Sequence, residues 1–222
     1  MRARDVLALA DRAGVAPGVA VLDLCCGVAG PGLFVTASRG CTYLGVDEDP
    51  DAIAVARQRA DHAGLTVDLE VARVPPVPPG RFDVVLLLET LLAFRDKRAL
   101  LEGIRGALVT GGRVAFTVEE GLPLTDAERQ QMPAADTVWP TPLPDLLSDL
   151  TRTGFRVTWR QEQTNAHRAV VDSLLWAYTN SAPDLRRRGH TVVDDLVTSH
   201  RLWSHWLQEG RVRKFAVVAR KV

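Results

Sequence analysis

The sequence predicts an α/β protein built on a mostly parallel, doubly wound sheet of seven strands with helices on both faces. Strand-like apolar runs alternate with helix-like segments over the first 120 residues, beginning at "VAVLDL" (19–24). The runs are apolar on both faces, most of all "FDVVLLL" (82–88), as is typical of parallel strands covered by helices. Ligands of such sheets bind outside the carboxyl ends of the strands, at the point where the strand order reverses.

The helices are predicted from apolar residues at helical spacing and from residues that start or end a helix. Asp49 and Pro50 fit an N-cap and a first helical position, and Gly40 fits a helix end. The predicted helices are "RDVLALADRA" (4–13), "GPGLFVTASRG" (30–40), "DAIAVARQRADHAG" (51–64), "DKRALLEGIRGAL" (96–108), "DLLSDLTRTG" (145–154) and two or three stretches between about 166 and 208.

The last predicted strand, "RVRKFAVVARKV" (211–222), reads as alternating between buried and exposed positions. Arg211 and Arg213 then share one face of the strand, and Lys214 lies on the other. The two arginines would cap a sheet edge or hold an acidic group of the substrate. The other predicted strands are "TYLGVD" (42–47), "TVDLEV" (66–71), "GGRVAFTVEE" (111–120) and "FRVTWRQEQ" (155–163).

The chain is predicted to form a single domain over residues 1–222. No repeat, low-complexity tract or linker divides it, and the proline-rich "RVPPVPPGR" (73–81) reads as an extended loop. The expected core covers about 15–120 plus 143–162 and 211–221. The expected lid and substrate elements are about 1–14, 121–142 and 165–208.

The composition narrows the expected partners. The 222 residues carry no net charge at pH 7, so the protein has no broad basic field for nucleic acid or an anionic membrane surface. The longest apolar run, "VVLLL", is too short to cross a bilayer, and "MRARDVLALADRAG" carries charges where a signal peptide is apolar. We therefore expect a cytoplasmic protein, monomeric or homodimeric, without nucleic-acid or membrane partners.

The segment "VLDLCCGVAGPG" (21–32) carries the strongest functional signal. A glycine loop after a strand lets a ligand approach the backbone, and Asp47 follows Gly27 by 20 residues at the end of the next strand. This order predicts a nucleoside-containing cofactor. A dinucleotide loop would read G-x-G-x-x-G directly after the strand; here Asp23 precedes the loop, which disfavours a pyrophosphate and suits a ligand with ammonium and sulfonium groups.

These residues resemble the class I S-adenosylmethionine-dependent methyltransferases, small-molecule branch. The resemblance runs from Val21 to about Val118 and includes "FDVVLLLET" (82–90) and "ALVTGGRVAFT" (107–117). It implies a Rossmann-like fold with a helical lid before the last strand. It also implies S-adenosyl-L-methionine as cofactor, S-adenosyl-L-homocysteine as product and a small-molecule methyl acceptor.

By position, the resemblance places Gly27 and its neighbours at the methionyl part of the cofactor and Asp47 at the ribose. Glu48 would lie beside the adenine, toward which Leu88 would turn its carbonyl group. The segment 71–73 lacks the acid that the family usually has there, so backbone contacts would serve. The implied cofactor-binding residues are Asp23, Cys25, Cys26, Gly27, Asp47, Glu48, Ala72, Arg73 and Leu88.

The loop departs from the family at Cys25 and Ala29, where glycine is preferred. A structural zinc needs four ligands, usually in separated pairs, and Cys41 supplies no second pair. We therefore interpret Cys25 and Cys26 as small loop residues and expect no metal. A special contact with the cofactor, or redox chemistry, is the alternative.

Methyl transfer is an in-line displacement in which a histidine or carboxylate often serves as base. Leu196, His200, Trp203 and Leu207 fall on one face of a predicted helix. This helix is either an aromatic lid packed on the sheet or the wall of a substrate pocket, with Trp203 or Trp206 as lining and His200 as base. Glu89 could equally be a loop cap. The catalytic candidates are His200, Glu119 and His167, and the substrate-pocket candidates are Glu89, Glu120, Trp139, Tyr178, Trp203 and Trp206.

The sequence leaves three functions open. The leading hypothesis is methylation of a small molecule, with specialised metabolism as a setting that the arginine-rich, bacterial-like composition favours. The alternatives are a non-methylating, cyclase-like enzyme and a binding module on the same cofactor-binding scaffold. The sequence does not distinguish O, N, C or S as the methylated atom.

Overall fold

The computed structural model describes residues 1–222 and contains seven strands and eight α-helices. The strands are β1 Ala20–Leu24, β2 Thr42–Asp47, β3 Asp68–Val71, β4 Phe82–Leu87, β5 Leu108–Glu120, β6 Phe155–Glu162 and β7 Arg213–Lys221. The helices are α1 Ala3–Ala13, α2 Gly30–Arg39, α3 Pro50–His62, α4 Lys97–Ala107, α5 Asp126–Gln131, α6 Leu143–Arg152, α7 Thr164–Arg187 and α8 Val192–Glu209.

The strands form one sheet in the order β3-β2-β1-β4-β5-β7-β6. The first five are parallel, and β7 runs antiparallel to both β5 and β6. The order reverses at β1, which pairs with both β2 and β4, so the expected crevice opens above the end of β1. The predicted doubly wound, mostly parallel seven-stranded sheet is confirmed.

The position of β7 corrects one sequence prediction. Six consecutive residues of this strand, Lys214 to Ala219, are buried, so the predicted alternation is wrong. The strand lies between β5 and β6, and the sheet edges are β3 and β6. Its amino end meets the carboxyl end of β5, which pairs Glu119 with Lys214 and Glu120 with Arg213. Arg211 precedes the strand and binds Glu128, so the two arginines do not cap an edge.

Two apolar clusters of 21 buried residues each form the core, and a smaller third cluster lies beneath the helical insertion. The first contains residues of α1, α2 and α3, including Leu9 and Ile53. The second contains residues of α4 and α6, including Leu101 and Leu146. Each fully buried aliphatic side chain contributes about 1.5–3 kcal/mol relative to exposure, so these layers fix the sheet that positions the site.

The insertion before β7 consists of two helices that pack against one another, α7 and α8. Only Val171 and Ala182 of the 24-residue α7 are buried, and Trp176 is 71% exposed. The segment between β5 and α6, one of the expected lid and substrate elements, contains α5, which begins with a capping box between Thr125 and Glu128. None of the helices has the length and apolar character needed to cross a membrane.

Two helical glycines differ in the space around them and provide a test of packing. A Cβ at Gly32 would lie 2.2 Å from the Tyr43 hydroxyl oxygen, whereas a Cβ at Gly106 meets nothing within 4 Å. We expect Gly32→Ala to lower the free energy of unfolding by about 1–3 kcal/mol through overpacking. The control Gly106→Ala should raise it by about 0.5–1 kcal/mol through helix propensity. Urea denaturation measures both, and equal effects of the two variants would refute this packing argument.

Candidate functional site

The glycine loop turns sharply between β1 and α2 by using left-handed backbone at three alternate residues. Cys25, Gly27 and Ala29 have φ values of 55°, 55° and 52°. Glycine adopts this region freely, whereas an L-residue pays about 1–2 kcal/mol there. The two departures from the family pattern therefore lie where glycine is conformationally preferred. Cys25 and Ala29 keep the same loop path because both side chains are small.

Asp47 ties the loop to the end of β2. The Gly27 N–H donates to Asp47 Oδ2 at 2.7 Å, and the Asp49 N–H donates to Asp47 Oδ1 at 3.0 Å. The Ala72 N–H donates to the Asp47 carbonyl oxygen at 2.9 Å, which brings the end of β3 to the same place. A carboxylate has about four acceptor positions, so Asp47 retains capacity for two ribose hydroxyl groups.

The residues expected around an adenine lie at the rim of this crevice. Glu48 and Arg73 are both exposed, and Arg73 Nε lies 3.6 Å from Glu48 Oε2. Arg73 thus stands where the family has an acid and pairs with the acid that follows Asp47. Leu88, directly after β4, is buried.

Asp23 lies beneath the glycine loop rather than in it. Burial raises the pKa of Asp23 to about 7; the hydrogen bond from the Tyr43 hydroxyl group, at 2.7 Å, opposes this rise and the charge of Asp47 adds to it. The sequence did not indicate Tyr43, since a tyrosine inside an apolar strand looks like core. The buried carboxyl group therefore titrates near neutral pH under the expected position of the cofactor.

The adjacent cysteines are protonated thiols at neutral pH. Burial raises the pKa of Cys25 and that of Cys26 to about 12, and the charges of Asp23 and Asp47 contribute to both shifts. Cys41 is buried elsewhere, with its Sγ 3.7 Å from Thr36 Oγ1. A thiol acts as nucleophile or metal ligand only as the thiolate, so these shifts support the interpretation of Cys25 and Cys26 as small loop residues.

A second group of polar side chains, here termed the charged cluster, comprises Glu89, Glu119, His167 and Lys214. The Lys214 Nζ lies 2.9 Å from Glu89 Oε1 and donates a short hydrogen bond to Glu119 Oε1. His167 Nε2 lies 3.3 Å from Glu119 Oε1, and His167 Nδ1 lies 3.7 Å from Glu89 Oε2. The ends of β4 and β5 and the starts of α7 and β7 supply these four residues.

Glu89 is held in a left-handed conformation, with φ 63°, by Thr117 of β5. The Glu89 N–H donates to Thr117 Oγ1 at 2.8 Å, and this hydroxyl group donates to Glu89 Oε1 at 2.9 Å. Non-glycine residues with this backbone persist where surrounding contacts enforce them, and they concentrate at functional sites. The loop-cap alternative for Glu89 does not account for its contacts with Lys214.

Contacts within the cluster shift the pKa of Glu89, of Lys214 and of His167. Burial would raise the pKa of Glu89, but the charges of Lys214 and His167 outweigh it and lower that pKa to about 2. Burial would lower the pKa of Lys214, but Glu119 and Glu89 raise it. Burial, together with Lys214, lowers the pKa of His167 below its ordinary value. At neutral pH Glu89 is therefore a carboxylate, Lys214 an ammonium group and His167 a neutral imidazole.

One donor atom from each of Glu89, Glu119 and His167 lies within 4.8 Å of the others, close enough to surround a cation. The Lys214 ammonium group already contacts both carboxylates. A divalent ion would have to displace this fully buried ammonium group, so the arrangement is better suited to moving a proton than to holding a metal.

The structure separates His200 from the other two catalytic candidates. His200 Nδ1 lies 2.8 Å from the Leu196 carbonyl oxygen of its own helix, and its ring packs edge-on against Tyr178 at 5.0 Å. Tyr178 lies 11 residues beyond His167 on α7, which is about 16 Å along a helix. His200 and Tyr178 therefore belong to the contact between α7 and α8, away from the charged cluster.

Three of the remaining pocket candidates, Trp203, Trp206 and Glu120, make contacts that hold the fold together. Trp206 is buried in the third apolar cluster, where Trp203 packs edge-on against it at 5.3 Å. Glu120 accepts hydrogen bonds from Arg213 Nε at 2.5 Å and from the Leu143 N–H at 3.1 Å. These contacts join β5, β7 and α6.

Trp139 anchors the loop between β5 and α6. The guanidinium groups of Arg95 and Arg129 lie over its ring, at 4.9 and 4.2 Å from the ring centre. The buried Lys97 donates to the carbonyl oxygens of Trp139 and Phe94 at 2.7 and 2.8 Å, which joins this loop to the one after β4. A surface groove lies elsewhere, beside edge strand β6 at the opposite end of the sheet from β2.

Comparison with known proteins supports the cofactor crevice. Residues 21–112 match the family described as "Methyltransferase domain". Over 109 residues, 48% of this chain, the sequence is 30% identical to phosphoethanolamine N-methyltransferase 1 of Arabidopsis thaliana. Over 107 residues, 47% of this chain, it is 34% identical to a ubiquinone biosynthesis O-methyltransferase of Pseudomonas paraeruginosa. The aligned regions span 22% and 45% of those relatives, less than half of either.

Solved structures share the fold over nearly the whole chain. The cyclopropane synthase MmaA2 from Mycobacterium tuberculosis superposes with a TM-score of 0.87, at 15% identity, over 98% of this chain and 83% of that one. Phosphoethanolamine N-methyltransferase 2 from Haemonchus contortus, solved with S-adenosyl-L-methionine, gives 0.80 at 20% identity, over 98% of this chain and 52% of that one.

The resemblance that the sequence indicated is thus confirmed. Residues 21–112 match a methyltransferase domain, as the resemblance to the class I, S-adenosylmethionine-dependent type implies. S-adenosyl-L-methionine, the cofactor that this resemblance implies, is confirmed for this domain type. The residues after 118, which lie outside the resemblance, contribute His167 and Lys214 to the site.

The thiols provide a first test of the site. Because the pKa of Cys25 and that of Cys26 are about 12, both should react with iodoacetamide at pH 8 more than about a hundredfold more slowly than free cysteine. Peptide mass spectrometry of timed samples measures the rate at each thiol, and the urea-unfolded chain is the control. Alkylation of either residue at the rate of free cysteine would contradict the assignment of unreactive thiols.

Asp23 provides a second test, through the pH dependence of stability. Its folded-state pKa, about 7, lies above the ordinary value of about 3.9, so folding takes up a proton between these pH values. The stability of the wild type relative to Asp23→Asn should therefore fall, by on the order of 1 kcal/mol or more, as pH rises from 4 to 7. Above pH 7 the difference should be constant.

Urea denaturation at several pH values measures this difference. Asp11, whose pKa the Arg39 hydrogen bond lowers, supplies a control of opposite sign. Relative to Asp11→Asn, the wild type should lose stability as pH falls below 4. A wild type and Asp23→Asn with parallel pH profiles would show that Asp23 keeps its ordinary pKa in the folded state.

Proposed function

We propose that this protein is an S-adenosylmethionine-dependent methyltransferase that acts on a small molecule. The observation that carries the proposal is the hydrogen bond from the Gly27 N–H to Asp47, which joins the glycine loop to the acid at the end of β2. It closes the crevice at the point where the strand order reverses, and this crevice lies within the segment that matches the methyltransferase family.

The proposed cofactor contacts follow the order of the strands. Gly27, with Cys25 and Cys26, lines the methionyl part, and both carboxylate oxygens of Asp47 accept from the ribose. Glu48, the backbone at Ala72 and Leu88 frame the adenine. Asp23, bonded to Tyr43 beneath the loop, adds negative charge under a cationic cofactor as its carboxyl group ionises near pH 7.

The proposed acceptor site lies beside the charged cluster. The neutral charge of the chain and the methyl acceptors in the relatives' names, phosphoethanolamine and a ubiquinone precursor, support a small-molecule acceptor. His167 and Glu119 are the catalytic candidates that this geometry favours, because they lie together at the carboxyl ends of the strands. His200 is a weaker candidate because its ring packs between α7 and α8.

The domain organisation is part of the same proposal. Residues 1–222 would act as one domain in which α7, α8 and the segment 121–142 cover the acceptor. The cytoplasm remains the expected location.

Calorimetric titration tests this function directly. We expect micromolar binding of S-adenosyl-L-methionine and S-adenosyl-L-homocysteine, and at least about tenfold weaker binding by Asp47→Ala, a loss of about 1.4 kcal/mol. The control Asp51→Ala changes an exposed acid in the first turn of α3 and should bind as the wild type does. Absence of binding by the wild type would exclude the proposed function, and equal binding by Asp47→Ala would exclude its ribose contact.

A further inference from the structure

Lys214 is the member of the charged cluster that the proposed function leaves without a role. Its side chain is 1% exposed, and its ammonium group contacts Glu89 and Glu119 together. A buried ammonium group is tolerated only when it is well paired, and an apolar side chain of similar length would fill the same space without that requirement. The presence of a lysine here therefore points to a use for its charge.

Lys214 and His167 share the same two carboxylates. His167 Nε2 lies 3.3 Å from Glu119 Oε1, the oxygen that also accepts from Lys214, and His167 Nδ1 lies 3.7 Å from Glu89 Oε2. With Lys214 in place, the carboxylates are already partly neutralised, and a second positive charge on the imidazole is disfavoured. Without Lys214, the two acids would hold the imidazole protonated.

The other charges around His167 come from the first residues of the chain. The amino group of Met1 disfavours the imidazolium form in the same sense as Lys214. Arg2 and Asp5, which line the same small cavity, pair with each other at 2.6 Å. Burial lowers the pKa of His167 most strongly, and Lys214 lowers it more than this amino group does.

We propose that Lys214 is a positioning residue that keeps His167 neutral, so that the imidazole can accept a proton from an O–H or N–H group of the methyl acceptor. This inference rests on the proposed function. It narrows the acceptor to a hydroxyl compound or an amine.

The proton and the methyl group move in a balanced step. A ring nitrogen of His167 takes the proton from the acceptor, and the electron pair left on oxygen or nitrogen attacks the methyl carbon. The bond from this carbon to sulfur breaks, and its electron pair stays on sulfur to give S-adenosyl-L-homocysteine. Glu119 and Glu89 stabilise the imidazolium until its proton passes to solvent.

The NMR titration of the His167 ring in the full chain tests the role of Lys214. We expect a wild-type midpoint below the ordinary histidine value and a midpoint higher by about one pH unit or more in Lys214→Met. The Lys214→Arg variant should show a His167 midpoint near that of the wild type, because arginine keeps the positive charge. The control Lys97→Met removes another buried lysine, remote from the carboxylates of the cluster, and should leave the midpoint unchanged.

An unchanged midpoint in Lys214→Met would overturn the proposal. Because this variant leaves two acids unpaired and could fail to fold, Glu119→Gln supplies an independent measurement. It removes a carboxylate that favours the imidazolium and leaves Lys214 in place, so the midpoint should fall below that of the wild type. A rise, or no change, would also overturn the proposal.

The acceptor class is tested by release of S-adenosyl-L-homocysteine with a phenol, a primary amine and an alkene as probes. We expect turnover of the phenol or the amine that falls at least about thirtyfold in His167→Gln, with cofactor binding retained. Turnover of the alkene alone, no turnover at all, or no loss in His167→Gln would contradict the class. Failure of cofactor binding would reject the proposed function but leave the titration result for Lys214 standing.

Discussion

The antiparallel pairing of β7 with β5 determines what this site can do. Because the last strand is reversed, its amino end lies at the carboxyl edge of the parallel strands, where Lys214 pairs with Glu119. A parallel last strand would bring its carboxyl end there instead. Opposite charges on directly paired residues stabilise a sheet, and here the pair also sets the charge around His167. Sheet topology and site electrostatics thus depend on a single strand direction.

The sequence predicted the sheet, and the pairing of the glycine loop with Asp47, from local patterns. Apolar runs, Gly40 and the Asp49–Pro50 pair mark elements over a few residues, and Asp47 lies at a fixed distance from the glycine loop. The strand β7 was harder to interpret from sequence. The charged residues at both of its ends give the pattern of a strand whose side chains alternate between buried and exposed positions. Its burial follows from its place between β5 and β6, which is a long-range property.

The charged cluster was predicted only in part for the same reason. Glu89 and Glu119 were candidates because they lie at the carboxyl ends of strands, and His167 was one because it lies in the helical insertion. These three residues lie in one cluster with Lys214, whereas His200 does not. This difference depends on where α7 packs at the carboxyl ends of the strands. Thr117 and Tyr43 gave no signal, because a single polar atom in an apolar strand carries none until its partner is known.

The contacts of Lys97 bear on how a molecule could enter and leave. Its ammonium group holds the loop after β4 and the loop after β5 together through two carbonyl oxygens, with no acid to take their place. Separating these loops would strand a desolvated cation, so that side of the cavity behaves as a fixed wall. A substrate or product would then pass on the side of α7 and α8. The rate of turnover would depend on how fast this helical pair moves aside.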